Sequence, residues 1–151
     1  MSDFVPASQV FLDNPATTVD EALQFIAAKG VELGISDSVD DLLAAFKARE
    51  AEGTTGMQGG FAIPHAKSSS VNKAAVIVVK FANEIDWQAL DGSPVKVAIA
   101  LLVPDGEAGT THLKLLSKVA MMLVDASFCE NVLASSDAAQ IAGLINAGLD
   151  D

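Results

Sequence analysis

The sequence predicts an α/β fold in which one β-sheet is buried between two layers of helices. The first observation is a pair of uninterrupted apolar runs, Ala74–Val79 and Val97–Val103. Both are far shorter than the roughly 20 residues of a membrane-spanning helix, and such runs are typical of strands covered on both faces. The second observation is that capped, amphipathic segments interleave with these strands, which is the pattern of an α/β domain.

The first elements are a short strand and a capped helix. Gln9–Asp13 is a short apolar run bounded by Pro15, and it predicts a first strand. Thr18–Glu21 has the form of a capping box, in which a hydroxyl and a carboxylate satisfy the free amides of a helix start. The helix is expected to continue to about Leu33, where Gly34 is suited to end it.

A second helix and a glycine-rich segment come next. Ser38 is placed to begin a helix that ends near Glu52. Four glycines follow within Gly53–Gly60, and they lead into a three-residue apolar strand, Phe61–Ile63. Pro64 lacks an amide hydrogen and must therefore stop this strand or lie at its edge.

The rest of the chain predicts two long strands and three helices. The first of these helices begins at Thr110 or Thr111, either of which can cap it. The strands are expected at Ala74–Phe81 and Val95–Val103. The first helix is expected to end at about Asp125, and the other two are expected at Phe128–Ala134 and Asp137–Ala147.

Composition limits the class of partner. The chain has 151 residues and a net charge of −11, with half of its residues apolar and 19% charged. This balance excludes a disordered chain and predicts one domain that buries about two-thirds of its surface. The acidity argues against a nucleic-acid partner, which would require clustered Lys and Arg, and is compatible with a basic protein partner.

The sequence also favours the cytoplasm without insertion into a membrane. The first basic residue is Lys29, so the N-terminus lacks the charged start of a signal peptide. The one cysteine, Cys129, suits a reducing compartment. Its position beside Phe128 at the start of a helix predicts a core residue and not a nucleophile.

Histidine and arginine are scarce, which restricts the candidates for a reactive site. His65 follows a short strand and a proline at the edge of the glycine-rich loop, where scaffolds display reactive groups. A neutral imidazole keeps one lone pair and is a nucleophile near neutral pH. The alternative is a loop histidine with no catalytic role.

The other two candidates also have structural alternatives. His112 lies in the first turn of a predicted helix, where free amides favour an anion, or it packs there as an ordinary side chain. Arg49 lies near the end of the second helix. Its planar donors match phosphate oxygens, but a cation at that end also stabilises the helix dipole.

Metal and nucleotide sites are disfavoured. The two histidines are 47 positions apart, and no local ligand spacing accompanies them. Neither a Walker motif nor a dinucleotide-binding fingerprint is present in the glycine-rich segment. We therefore expect neither a cofactor nor a metal.

Thr55–Lys67 resembles the active-site signature of the enzyme IIA domains of the bacterial phosphoenolpyruvate-dependent sugar phosphotransferase system, fructose–mannitol type. The resemblance extends back to Arg49-Glu50 and forward through Asp86–Gly92 to His112, so that it covers nearly the whole chain. It implies one domain over residues 1–151, with a mixed sheet of about five strands flanked by helices on both faces. Gln58-Gly59 departs from the Gly-Asn of many members.

The resemblance implies a phosphotransferase that works through a phosphohistidine. In that family the residue matching His65 accepts a phosphoryl group from the phosphocarrier HPr and passes it to a cysteine of an enzyme IIB. The residue matching His112 helps to hold the phosphoryl group, and the one matching Arg49 adds positive potential. An apolar rim around His65 is expected because two proteins must reach it in turn.

Two alternatives remain open from the sequence. A regulatory, nitrogen-related enzyme IIA would use the same histidine, but its phosphorylation state would control partner proteins instead of sugar uptake. A non-catalytic module would bind a small anion between His65 and His112 without forming a covalent adduct.

Overall fold

A computed structural model describes residues 4–107 and 113–150, which form a five-stranded sheet and five α-helices. The strands are β1 (Val10–Asn14), β2 (Phe61–Ala62), β3 (His65–Ser68), β4 (Ala75–Ile85) and β5 (Val95–Pro104). The helices are α1 (Val19–Glu32), α2 (Val39–Glu52), α3 (Leu113–Val124), α4 (Ala126–Ala134) and α5 (Ala138–Asp150). None of the helices in these two ranges combines the length and the apolarity needed to cross a membrane.

The sheet is mixed, as the resemblance implies. β1 runs parallel to β4, and β4 runs antiparallel to β5. On the far side of β5, β2 and β3 both pair with it in parallel, β2 beside its first half and β3 beside its second. β2 and β3 thus form one interrupted edge of the sheet.

The strand that contains His65 differs from the sequence prediction. The first segment ends at Ala62 and not at Ile63, and His65 begins a new strand instead of lying in a loop. Pro64 explains the interruption because it has no amide hydrogen to donate. Its carbonyl still accepts a hydrogen bond from the Leu101 amide at 2.9 Å, so the chain stays beside β5 and resumes pairing at His65.

Both faces of the sheet are covered, as predicted. Side chains of β4 alternate between two buried clusters, with Val76 and Val78 in one and Ile77 and Val79 in the other. α1 and α2 cover the Ile77 side, and α3, α4 and α5 cover the Val76 side. Because neither face of β4 meets water here, its core segment is a continuous apolar run.

The helix starts follow local chemistry. Thr18 and Ser38 cap α1 and α2 by accepting hydrogen bonds from the amides of Glu21 and Asp41, both at 3.1 Å. Gly34 follows α1 with φ of +78°, a left-handed conformation that glycine adopts without steric cost. Local signals of this kind placed both helices correctly from sequence.

The segment between α2 and β2 lies against the residues that follow β4. At Gly56 an added Cβ would lie 2.2 Å from the carbonyl oxygen of Gln88. Only glycine therefore permits this approach of two backbones. The contact holds the glycine-rich segment over the start of the interrupted edge strand.

Candidate functional site

The candidate site forms where the end of α2 packs against β3. Arg49 lies in the last turn of α2, and His65 is the first residue of β3. The two residues are 16 positions apart. The chain between them is mainly the glycine-rich segment and β2, which return it to the helix end. His65 is only 5% exposed, so its ring is fixed by its neighbours instead of by solvent.

Two hydrogen bonds define the tautomer of His65. Nδ1 lies 2.8 Å from the carbonyl oxygen of Ile63, and Nε2 lies 2.8 Å from Nε of Arg49. A carbonyl can only accept, and the guanidinium can only donate. Nδ1 therefore carries the hydrogen, and Nε2 presents its lone pair.

Arg49 serves two groups at once. Its Nε donates to His65, and its Nη1 donates to the carbonyl of Gly53 at 2.7 Å. Gly53 is the residue that caps the C-terminal end of α2. One guanidinium therefore contacts both the end of α2 and the histidine.

The surroundings keep His65 neutral. Burial lowers the pKa of its imidazole most strongly, and the positive charges of Arg49 and Lys67 lower it further. The hydrogen bond to Ile63 and the negative charge of Glu52 act in the opposite direction, but the net shift is downward. A neutral imidazole with its lone pair on Nε2 is the nucleophilic form.

A cavity of about 280 Å³ opens beside His65. It is lined by Ala45, Ala48, Arg49, Glu52, His65 and Lys67. Of these residues only the two alanines are apolar, and Arg49, Glu52 and Lys67 are charged, so this lining is more polar than the expected apolar rim. Arg49 and Lys67 favour a small anion such as a phosphoryl group beside the neutral imidazole, and the carboxylate of Glu52 offsets part of their charge.

Lys67 was given no role by the sequence prediction. It lies two positions after His65 on β3, and side chains two apart project from the same face of a strand. Lys67 is exposed, and within residues 4–107 and 113–150 no ion pair involves it. The strand period would have predicted its position if His65 had been assigned to a strand.

The other candidate residues lie apart from these groups or outside the described ranges. His112, with Thr110 and Thr111, falls within residues 108–112, which the structure does not describe. Cys129 is buried among apolar side chains as predicted, and burial raises the pKa of its thiol. No cluster of three or more potential metal ligands occurs in the described part of the chain.

Comparisons with known proteins agree with this fold and with the sequence motif. The model of the family described as "Phosphoenolpyruvate-dependent sugar phosphotransferase system, EIIA 2" matches residues 3–148. The fructose-specific EIIA component of the phosphotransferase system of Haloferax volcanii is 35% identical over 133 residues, which cover 88% of this chain and 86% of that protein.

Solved structures of similar proteins have the same fold as this chain. The nitrogen regulatory protein IIA-Ntr of Neisseria meningitidis superposes with a TM-score of 0.87 at 29% identity, covering 95% of this chain and 97% of that one. The mannitol enzyme IIA of Escherichia coli, solved in complex with phosphorylated mannitol enzyme IIB, has the same fold. Its TM-score is 0.80 at 18% identity, with 95% and 97% of the two chains covered. The family match across nearly the whole chain and the identity to the Haloferax protein show that this chain belongs to the EIIA type 2 family of the phosphoenolpyruvate-dependent sugar phosphotransferase system.

Proposed function

We propose that this chain is a phosphoryl-relay component that accepts a phosphoryl group on Nε2 of His65 and passes it to a cysteine of an enzyme IIB of the fructose–mannitol type. The observation that carries the proposal is the pair of hydrogen bonds on His65, which leaves the proton on Nδ1 and the lone pair on Nε2. The donor is the phosphohistidine of HPr, in keeping with the membership of the family.

Each transfer exchanges one bond to phosphorus for another. In the first step Nε2 of His65 attacks phosphorus, the P–N bond to the donor breaks, and the donor imidazole leaves with the electron pair. In the second step a cysteine thiolate forms a P–S bond, and the electron pair of the broken P–N bond returns to Nε2. Nδ1 keeps its proton throughout and donates it in a hydrogen bond to the carbonyl of Ile63, so no general base is required.

Arg49 has to change partners during the first step. One lone pair cannot accept a hydrogen bond and attack phosphorus at the same time, so Nε of Arg49 must leave Nε2 as the phosphoryl group arrives. The guanidinium then donates to the phosphoryl oxygens, for which its planar donors are suited. Lys67 adds charge at the same cavity, and phosphoryl transfer depends mainly on such positioning and charge stabilisation. We assign His112 to the same task, as its match to the family motif implies.

The test is phosphorylation by a reconstituted relay. Incubation with phosphoenolpyruvate, enzyme I and HPr is expected to add one acid-labile phosphoryl group, seen by intact mass. His65→Ala should abolish the adduct, and His112→Ala should slow transfer while leaving the fold intact. Absence of an adduct on the wild type, or an equal adduct on His65→Ala, would refute the relay and favour a module that binds anions without reacting.

A regulatory role is the second candidate. It is favoured by the similarity to the Neisseria nitrogen regulatory protein over 95% of the chain. Transfer of the phosphoryl group from the labelled protein to a cysteine of an enzyme IIB separates the two roles. Rapid transfer supports the transport relay, whereas a stable phosphoprotein that binds partners according to its phosphorylation state supports regulation.

A further inference from the structure

The carboxylate of Glu50 is the centre of a hydrogen-bond network beside the candidate site. Its Oε1 accepts from the amide of Thr55 at 3.1 Å and from Nε1 of Trp87 at 3.3 Å. Its Oε2 accepts from the hydroxyl of Thr55. Thr55 and Trp87 are 3% and 2% exposed, so their donors would lack a partner if the carboxylate were absent.

The network continues from Thr55 to the ring of His65. The carbonyl of Thr55 accepts a hydrogen bond from the amide of Ile63 at 2.9 Å. The carbonyl of Ile63 in turn accepts the hydrogen of Nδ1 of His65. Glu50 thus holds Thr55, and Thr55 holds Ile63. The carbonyl of Ile63 in turn accepts the hydrogen on which the tautomer of His65 depends.

Arg49, which precedes Glu50 in the chain, contacts the other edge of the imidazole ring of His65. Arg49 donates to Nε2 of His65 at 2.8 Å. Two consecutive residues in the last turn of α2 therefore control the two ring nitrogens, Arg49 directly and Glu50 through Thr55 and Ile63. A ring held at both edges has one orientation and one tautomer, and a small misplacement of a reacting group is costly in rate.

We propose that Glu50 is a positioning residue for His65, which sets the tautomer and orientation of the imidazole through Thr55 and Ile63. The expected effect of Glu50 on the rate of phosphoryl acceptance rests on the proposed function. Its expected effect on the tautomer of His65 does not depend on that function. Glu50 lies outside the set of groups that line the cavity, and no direct contact with the phosphoryl group is assigned to it.

Glu50→Gln is the principal variant. The amide oxygen can still accept a hydrogen bond, but the amide nitrogen cannot accept from Thr55, so one side of the network is lost. The turnover number for phosphorylation by phospho-HPr is expected to fall about ten- to a hundredfold, with the KM for phospho-HPr unchanged. Asp40→Asn, which neutralises an exposed carboxylate in the first turn of the same helix, should leave both constants unchanged.

The decisive measurement is the pair of ¹⁵N resonances of the His65 ring in the unphosphorylated protein. The wild type should show hydrogen on Nδ1 alone, whereas Glu50→Gln should show a mixture of the two tautomers. A general loss of stability would not produce that change in a protein that remains folded. The dispersion of the backbone amide resonances, which does not depend on the contact between Glu50 and Trp87, checks that the variant is folded.

A second pair of variants protects the test against failure of Glu50→Gln to fold. Thr55→Ser keeps the hydroxyl donor and should retain the wild-type tautomer, whereas Thr55→Val removes it and should give the mixture. Wild-type tautomer populations in Glu50→Gln and Thr55→Val, whatever their rates, would overturn the positioning role. Failure of the wild type to accept phosphate would refute the proposed function instead, and the tautomer comparison would still decide this inference.

Discussion

At the scale of single residues, the environment of His65 favours a nucleophile over a base. Burial, Arg49 and Lys67 lower the pKa of the imidazole, so protonation of the folded protein requires a lower pH than that of a free histidine. We predict that the rate of phosphoryl acceptance falls on acidification with a midpoint below the ordinary histidine pKa of about 6.5. A single-turnover pH profile measures this, and a midpoint at or above the ordinary histidine pKa would contradict it.

Lys67 provides a test of the electrostatic part of this environment. Lys67→Met removes a positive charge that disfavours the imidazolium, so the pKa of His65 should rise and the acidic limb of the profile should move to higher pH. The rate at neutral pH should also fall, because one cation of the cavity is lost. Lys67→Arg should restore both properties, and Lys73→Met should change neither. An NMR titration of His65 that shows no upward shift in Lys67→Met would exclude the assigned effect.

A substitution at Arg49 separates the effect of its positive charge from the effect of its planar arrangement of donors. Arg49→Lys keeps the positive charge, but a single ammonium cannot reproduce the two donors that now reach His65 and Gly53. We expect the rate of phosphoryl acceptance to fall about a hundredfold, the lower end of the cost of losing a donor that stabilises developing charge. An unchanged rate would mean that Arg49 serves only the end of α2.

At the scale of elements, Lys80 connects the sheet to α4. Its Nζ, on β4, donates to the carbonyls of Val132, Leu133 and Ser135 at 3.3, 2.5 and 2.7 Å. These carbonyls belong to the last turn of α4 and its C-cap, where backbone acceptors have no partner within the helix. The ammonium therefore satisfies the helix end and also complements the negative end of its dipole.

We predict that Lys80→Met lowers the free energy of unfolding by about 1–2 kcal/mol, since the three carbonyls lose a charged donor while the apolar stem is kept. Urea denaturation followed by the fluorescence of Trp87 measures the change. Lys96→Met is the matched control, because Lys96 lies on the neighbouring strand and its hydrogen bond, to the carbonyl of Ala82, is exposed. Equal effects of the two substitutions would show that the contact with α4 adds nothing.

The elements that the sequence predicted are those with local signals. α1 and α2 begin where Thr18 and Ser38 can cap them, and β5 is marked by its apolar run. β3 was missed because His65–Ser68 has no apolar run of its own, and it becomes a strand because β5 offers a partner along its second half. Such pairing depends on residues more than 30 positions away, which no local pattern can reveal.

The same distinction applies to the site. Scarcity and the motif singled out His65 and Arg49, but their contact depends on the return of the chain through the glycine-rich segment. The network of Glu50, Thr55 and Trp87 has no sequence signature apart from the resemblance, since it joins a helix end, a loop and the segment that follows β4. Composition limits which residues can react, and tertiary structure decides how they are held.

At the scale of the whole molecule, one buried amide joins two distant parts of the chain. The side chain of Asn146, on α5, accepts from the amide of Val5 and donates to its carbonyl, both at 2.9 Å. Asn146 is 9% exposed and Val5 is 1% exposed. Val5 and α5 both lie on the face of the sheet opposite α2. The two hydrogen bonds between Val5 and Asn146 therefore join the start of the chain to α5 without contacting the candidate site.

We predict that Asn146→Leu lowers the free energy of unfolding by about 2–4 kcal/mol, because the amide and the carbonyl of Val5 both lose their partner in a buried position. Asn131→Leu, at an exposed position on α4, should change it by no more than about 0.5 kcal/mol. Urea titration gives the free energies, and hydrogen exchange should show faster opening at the Val5 amide in the first variant alone. Under folding conditions both variants should accept a phosphoryl group at the wild-type rate, because α2, β3 and the glycine-rich segment are unchanged. A slower rate in Asn146→Leu with the fold intact would contradict this prediction. It would mean that the contact between Val5 and Asn146 affects the candidate site on the other face of the sheet.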